Sequence, residues 1–142
     1  MKRSPELTPL SRDHHQALEA ALRLRRATDE TLEPAVGHFL EFWSRQGEQH
    51  FAIEERLVLP ALPDADAEWA EATQRVRAEH REIRAGAASL ADASSVDAAR
   101  GVGELLAAHV RFEERTLFPL VERRLSPAAL GDLGRALAAA EA

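Results

Sequence analysis

The sequence contains no cysteine and no tyrosine, no long apolar run and no excess of basic residues, and each absence removes a class of chemistry. Without Cys there are no disulfides, iron–sulfur clusters, thiolate zinc sites or cysteine nucleophiles, so any bound metal must be held by nitrogen and oxygen. Without Tyr, tyrosyl-radical chemistry is excluded. A net charge of −6 offers no broad basic surface to neutralise phosphates, so nucleic acid is not an expected partner. The opening MKRSPELTPL has two basic residues but no apolar segment behind them, and no later stretch is apolar enough to span a bilayer. The expectation is a cytoplasmic protein without a membrane partner.

What the sequence does contain favours helix. Its 142 residues suit one domain, 1–142, and its 45% apolar and 30% charged residues, dominated by Ala, Leu, Arg and Glu, fit a set of amphipathic helices. Thr8 followed by Pro9 reads as a cap with proline at the first helical position, and Leu10, Ala17, Leu18, Ala21 and Leu24 carry that helix to about Thr28. A second helix starts between Thr31 and Pro34, continues through Val36, Phe39, Leu40, Trp43, Phe51, Ile53 and Leu57, and is stopped near Leu59 by Pro60 and Pro63. After the polar PDAD segment, 63–66, Trp69, Val76, Ile83 and Leu90 mark a third helix over Asp66 to Ala91. Ser94 and Ser95 cap a fourth, ending near Leu125, whose first turn is expected to start late because Gly101 and Gly103 are poor helix formers. A short tail helix follows over 126–140. Short connections between long helices predict an all-α, antiparallel up-down-up-down four-helix bundle, core 8–125, with a short C-terminal helix on its end.

An internal repeat is the most informative feature. HFAIEERLVLPAL, His50 to Leu62, aligns without gaps to HVRFEERTLFPLV, His109 to Val121. The identities are His, Glu, Glu, Arg and Pro, so the copies share mostly polar residues, which packing alone would not require. Residues four apart stack on one helix face, pairing His50 with Glu54 and His109 with Glu113. Those faces are otherwise apolar, and burying a carboxylate with an imidazole is costly unless the two are paired or bind metal. The first and third helices each add a histidine preceded by an acid, Asp13-His14 and Glu79-His80, on faces that also carry Leu10 and Ile83. His15 is expected to be exposed or to stand behind the ligands. His38 has no counterpart in the repeat and is expected to be exposed or capping.

All four helices thus offer a ligand, and the candidate set is His14, His50, Glu54, His80, His109 and Glu113. Four imidazoles and two carboxylates suit iron, manganese or zinc rather than calcium or magnesium. Two ions fit better than one, with the carboxylates as bridges. Two divalent ions and two carboxylates leave positive charge that attracts an anionic or polarisable small ligand. Glu55 and Glu114, about 100° round the helix, read as surface groups or as groups behind the ligands. Trp43 and Gly47 line a small pocket or serve packing.

The segments DHHQAL (Asp13 to Leu18), HFAIEE (His50 to Glu55), EHREI (Glu79 to Ile83) and HVRFEE (His109 to Glu114), in that order, resemble the hemerythrin-like, or HHE cation-binding, domain family. The resemblance covers all four long helices. It implies two non-haem Fe ions with an oxo or hydroxo bridge, held by the six residues above, and a small-molecule partner: O2, NO or peroxide. It implies binding, sensing, scavenging or storage. The alternative is a redox enzyme, peroxidase or ferroxidase-like, using the same centre. The sequence departs from the oxygen carriers in the third helix, where Val76 and Arg84 stand at both places for a second histidine. It also offers Glu113 where those carriers use an aspartate one residue later. The third-helix departure implies a centre one imidazole short and more open than a reversible oxygen carrier's, with Arg84 itself expected to point to solvent. A ferritin-like oxidase fits less well, because no histidine has a glutamate three residues before it, and the absence of HExxH argues against a zinc protease.

Overall fold

The computed structural model describes residues 2–63 and 65–141, so Asp64 of the PDAD connection and both terminal residues lie outside it. Among the described residues the protein is all-helical, without strands. Helix α1 spans Thr8–Arg25. Helix α2, 32–58, is one rod of α-helical Leu32–Phe42 and Glu48–Ile53 interrupted by π-helical turns at Trp43–Gly47 and Glu54–Val58, and it ends in a 3-10 turn at Leu59–Ala61. Helix α3 is Ala67–Asp92. Helix α4, 96–124, joins Val96–Phe112 to Phe118–Arg124 through a π-helical turn at Glu113–Leu117. Helix α5 is Pro127–Glu141.

Two apolar clusters fill the interior, and their order along each helix reveals the topology. One contains Leu24, Phe39, Trp43, Phe51, Ile83, Leu90, Leu106 and Val110. The other contains Leu10, Ile53, Val58, Trp69, Val76, Leu117, Phe118 and Val121. The chain passes from the second cluster to the first along α1 and α3, and from the first to the second along α2 and α4. Neighbouring helices therefore run antiparallel, as short connections dictate. Leu133 and Leu137 of α5 close the end formed by the second cluster.

Several local expectations change. Thr8 does not cap α1: Leu7 holds that position, and the Thr8 hydroxyl donates instead to the Ser4 carbonyl at 2.9 Å. The first helix ends at Arg25 rather than Thr28. Helix α4 starts at once, capped by Ser95, whose hydroxyl accepts from the Ala98 N–H, because Gly103 has a packing role that offsets its poor propensity. A Cβ at Gly103 would lie 2.8 Å from the Ala21 carbonyl oxygen and from the Arg25 nitrogen, so a bare backbone is what lets α1 and α4 approach this closely.

Candidate metal centre

Between the two apolar clusters lies a polar layer. His14 from α1, His50 and Glu54 from α2, His80 from α3, and His109 and Glu113 from α4 are all buried, and both glutamates are 0% exposed. Thr73 is the only other buried polar residue among those described. The π-helical turns explain how the two repeat copies hold their glutamates. Pro60 and Pro119 stand six residues beyond Glu54 and Glu113, and a proline inside a helix removes a donor and crowds the carbonyl four residues earlier. Both copies widen the turn just ahead of the proline, with the Leu59 and Phe118 N–H groups donating to the carbonyls of Glu54 and Glu113. Each inward glutamate is thereby fixed at the head of a π turn.

The six side chains form two overlapping groups. His14, His50, Glu54 and Glu113 place one atom each within 4.8 Å of one another, as do Glu54, His80, His109 and Glu113. Each carboxylate divides its oxygens between the groups. Glu54 turns Oε2 to His50 Nε2 and Oε1 to His80 Nε2, both at 3.2 Å. Glu113 turns Oε1 to His14 Nε2 at 3.0 Å and Oε2 to His109 Nε2 at 3.4 Å. Despite these short separations, His50 Nε2, His80 Nε2, His109 Nε2, both Glu54 oxygens and Glu113 Oε2 have no hydrogen bond of acceptable geometry. Orphaned polar atoms are costly in a protein interior, and six converging on one space fit a cation that would satisfy them together.

Each histidine is held from behind by a carboxylate on a different helix. Asp13 Oδ2 lies 3.0 Å from His50 Nδ1, Glu55 Oε2 2.7 Å from His80 Nδ1, Glu79 Oε1 2.8 Å from His109 Nδ1, and Glu114 Oε2 2.7 Å from His14 Nδ1. The contacts run α1 to α2, α2 to α3, α3 to α4 and α4 back to α1, closing a ring around the bundle. With Nδ1–H donated to a carboxylate, loss of the Nε2 proton leaves a lone pair pointing inward, the tautomer a metal requires. Three of the four carboxylates are braced by arginine. Arg84 makes two bonds to Glu55, at 2.7 and 3.0 Å, Arg75 reaches Glu79 at 3.0 Å, and Arg3 reaches Glu114 at 3.3 Å. Arg84 is thus an orienting group rather than the free solvent-facing side chain its sequence position suggests.

Charge follows this geometry. Burial disfavours a charged imidazole, but the carboxylates of Glu113 and Glu114 outweigh it and raise His14 to about 9. His109 is raised to about 10 against the same burial by Glu113 and Glu79, and His50 is raised well above its ordinary value by Glu54 and Asp13. Glu113 is held well below the usual carboxylate range because His109 and His14 overcome its burial.

Beside the ring lies a largely enclosed cavity, bounded by Ala17, Phe42, Trp43, Gly47, Leu106 and Val110 and touching His14, His50 and His109. Its free space of about 10 Å³ suits one water-sized molecule. His15 is exposed and His38 half-buried, both outside the cluster. Val76 belongs to the apolar cluster, so α3 contributes His80 alone to the polar layer. Sequence reasoning gave no role to Arg3 and Arg75, nor to Asp13 and Glu79 beyond their place before a histidine. The available signal was an acid next in sequence to one inward residue of every helix.

No helix of the described residues is long and apolar enough to cross a membrane. No curated protein and no solved structure matches the chain. The family model for the hemerythrin HHE cation binding domain matches residues 7–121, which takes in the six inward residues and the four carboxylates behind them and leaves α5 outside. With that match over most of its length and a buried His/Glu cluster able to bind metal, this chain belongs to the hemerythrin HHE cation-binding family.

Proposed function

We propose that the chain is a single hemerythrin-like domain that holds two iron ions and takes up a small ligand, O2, NO or peroxide, or iron itself, for sensing, scavenging or storage. The observation that carries this reading is the division of both carboxylates between two groups of donors. His14 and His50 with one oxygen from each glutamate form the first position, and His80 and His109 with the other two oxygens form the second. Mixed nitrogen and oxygen donors suit iron, with manganese or zinc as competitors. Four protein donors per ion leave room in an octahedral sphere, and an iron pair supplies reversible binding or redox chemistry to a molecule occupying that room.

The protein's own contribution is positional. The ring of carboxylates fixes the imidazoles, the two apolar clusters exclude water from the layer, and the cavity limits the size of what approaches. Peroxidase- or ferroxidase-like turnover by the same centre is the alternative. Binding is favoured because, with His50 and His109 serving as ligands, the other polar groups bordering the cavity are engaged: Asp13 with His50 and Gln46, and His14 with Glu113 and Glu114. Turnover of peroxide requires a free proton donor there.

Metal analysis of protein purified from iron-supplemented cells, followed by an absorption spectrum in air, tests the reading. Two irons per chain are expected, and less than about one with zinc in its place overturns it. An NO adduct formed without appreciable peroxide consumption supports binding, whereas rapid peroxide consumption abolished by His109→Ala establishes the enzyme.

A further inference from the structure

Asp13 differs from its three counterparts in the ring. Among the described residues no arginine pairs with it, and its Oδ1 meets only the Gln46 amide at 3.4 Å. Its other neighbour is a second carboxylate, Glu141 near the end of α5. Asp13, His50 and Glu141 each place a potential ligand atom within 4.8 Å of the others. The two acids stand close enough to share a proton between them, and a divalent cation can take that proton's place, which a hydrogen bond from Gln46 cannot. Arg45, which borders this corner, is paired with Glu41 at 3.4 Å, and Arg12 is a second positive charge near Glu141.

The corner also joins two spaces. A surface cavity of about 180 Å³, bordered by Glu141, Gln49 and Ile53, shares Asp13, Gln46 and His50 with the enclosed cavity beside the inward residues. Those three side chains are the partition between outside and inside. His50 itself spans it: Nδ1 faces Asp13 in the outer cluster, and Nε2 is one of the orphaned atoms of the inner one. At the other three positions of the ring an arginine seals the carboxylate.

We propose that the Asp13–Glu141 corner is the port through which divalent metal reaches the centre, with Fe2+ captured between the two carboxylates and passed inward alongside His50. The inference rests on the two-iron reading and extends it to residues beyond the family match, since Glu141 lies outside 7–121. Carboxylate oxygens with one imidazole are suitable donors for transient capture of such an ion, and local negative charge raises its arrival rate.

The test is anaerobic stopped-flow uptake of Fe2+ by the metal-free protein, read against a chromogenic ferrous chelator, for wild type, Glu141→Gln and Glu141→Lys. Glu104→Gln, an exposed acid paired with Arg25 near the far end of α1, serves as control. Initial uptake is expected to slow about tenfold in Glu141→Gln and further in Glu141→Lys, with unchanged final iron content and unchanged melting temperature. The control is expected to match wild type, and the wild-type rate to fall more steeply with salt than that of Glu141→Gln. Two irons loaded by Glu141→Lys at the wild-type rate, or equal slowing by Glu104→Gln, overturns the port and leaves the two-iron reading standing. Failure of the wild type itself to take up iron overturns both.

Discussion

Glu55 follows Glu54 directly in sequence, yet it serves a different helix: its Oε2 stands 2.7 Å from Nδ1 of His80 while Arg84 holds the same carboxylate from outside. Glu55 therefore fixes both the tautomer and the ring orientation of His80, the one residue α3 contributes to the two groups of donors. Glu55→Ala is expected to lower metal affinity about 10–100-fold, the usual cost of losing such a partner. Glu55→Gln keeps an acceptor oxygen and should lose less. Arg84→Ala, removing a half-exposed brace, should cost only a few-fold. Competition titrations against a chelator order the three, and wild-type affinity in Glu55→Ala would refute the orienting role.

The shared carboxylates give a second expectation, about stoichiometry rather than affinity. Glu54 and Glu113 each contribute to both groups of donors, so Glu113→Ala removes an oxygen from each. That variant is expected to lose both ions together. His80→Ala leaves the group of His14, His50, Glu54 and Glu113 intact and is expected to retain about one ion per chain. Metal analysis of the two purified variants distinguishes these outcomes.

Proton linkage has a definite sign in the metal-free protein. His14 and His109, raised to about 9 and about 10, stabilise the fold fully below their unfolded value near 6.5, and that contribution disappears as pH rises through 9 to 10. Glu113 works in the opposite sense: held low in the fold, it stabilises above its unfolded value near 4.5, and its contribution disappears as pH falls below that. The metal-free melting temperature is therefore expected to decline from pH 7 to 10 and to fall again in acid. Metal must displace the protons on His14, His50 and His109, so binding should release protons and tighten as pH rises. Calorimetric titration in buffers of different ionisation enthalpy reads that release, and binding without it would contradict the imidazolium–carboxylate network.

Much of this was legible in the sequence because the helix period converts spacing into direction. The HxxxE pairs at His50 and His109, with His14 and His80, are found in the buried polar layer, and α2, α3 and α4 end within a few residues of where Pro60, Ala91 and Leu125 predicted. The ring of carboxylates was legible in principle. Its acids precede the inward residue on α1 and α3 (Asp13, Glu79) and follow it on α2 and α4 (Glu55, Glu114). Reversing a helix inverts the sense of a one-residue step, so in an antiparallel bundle all four lean the same way round. What stayed hidden depends on packing. The π turns at Glu54 and Glu113 answer to prolines whose ring and missing donor act in three dimensions, Gly103 is explained only by the backbone of α1 beside it, and Glu141 reaches Asp13 only because Leu133 and Leu137 seat α5 on the bundle.

The cavity beside the centre gives the sharpest test of what the site admits, because its size rests on one missing side chain. Gly47 ends the first π turn of α2, and a Cβ there would lie 2.8 Å from Cε3 of Trp43 and 3.0 Å from Cε2 of Phe42. Both rings border the cavity, so the methyl of Gly47→Ala must displace them, and the nearest free space is the cavity itself. The strain of such overpacking, about 1–3 kcal/mol, is partly offset by the better helix propensity of alanine, about 1 kcal/mol, so the variant should fold with slightly reduced stability. Metal content should not change, since Gly47 belongs to neither group of donors. NO binding to the iron-loaded protein should weaken or slow, and azide, being longer, should be excluded more strongly. Leu106→Ala acts in the opposite direction, opening the same wall at a stability cost of about 2–5 kcal/mol and easing azide binding relative to NO. Parallel titrations of both variants with NO and azide measure the discrimination. If neither substitution shifts it, ligands reach the centre by another face and the cavity is only a packing defect.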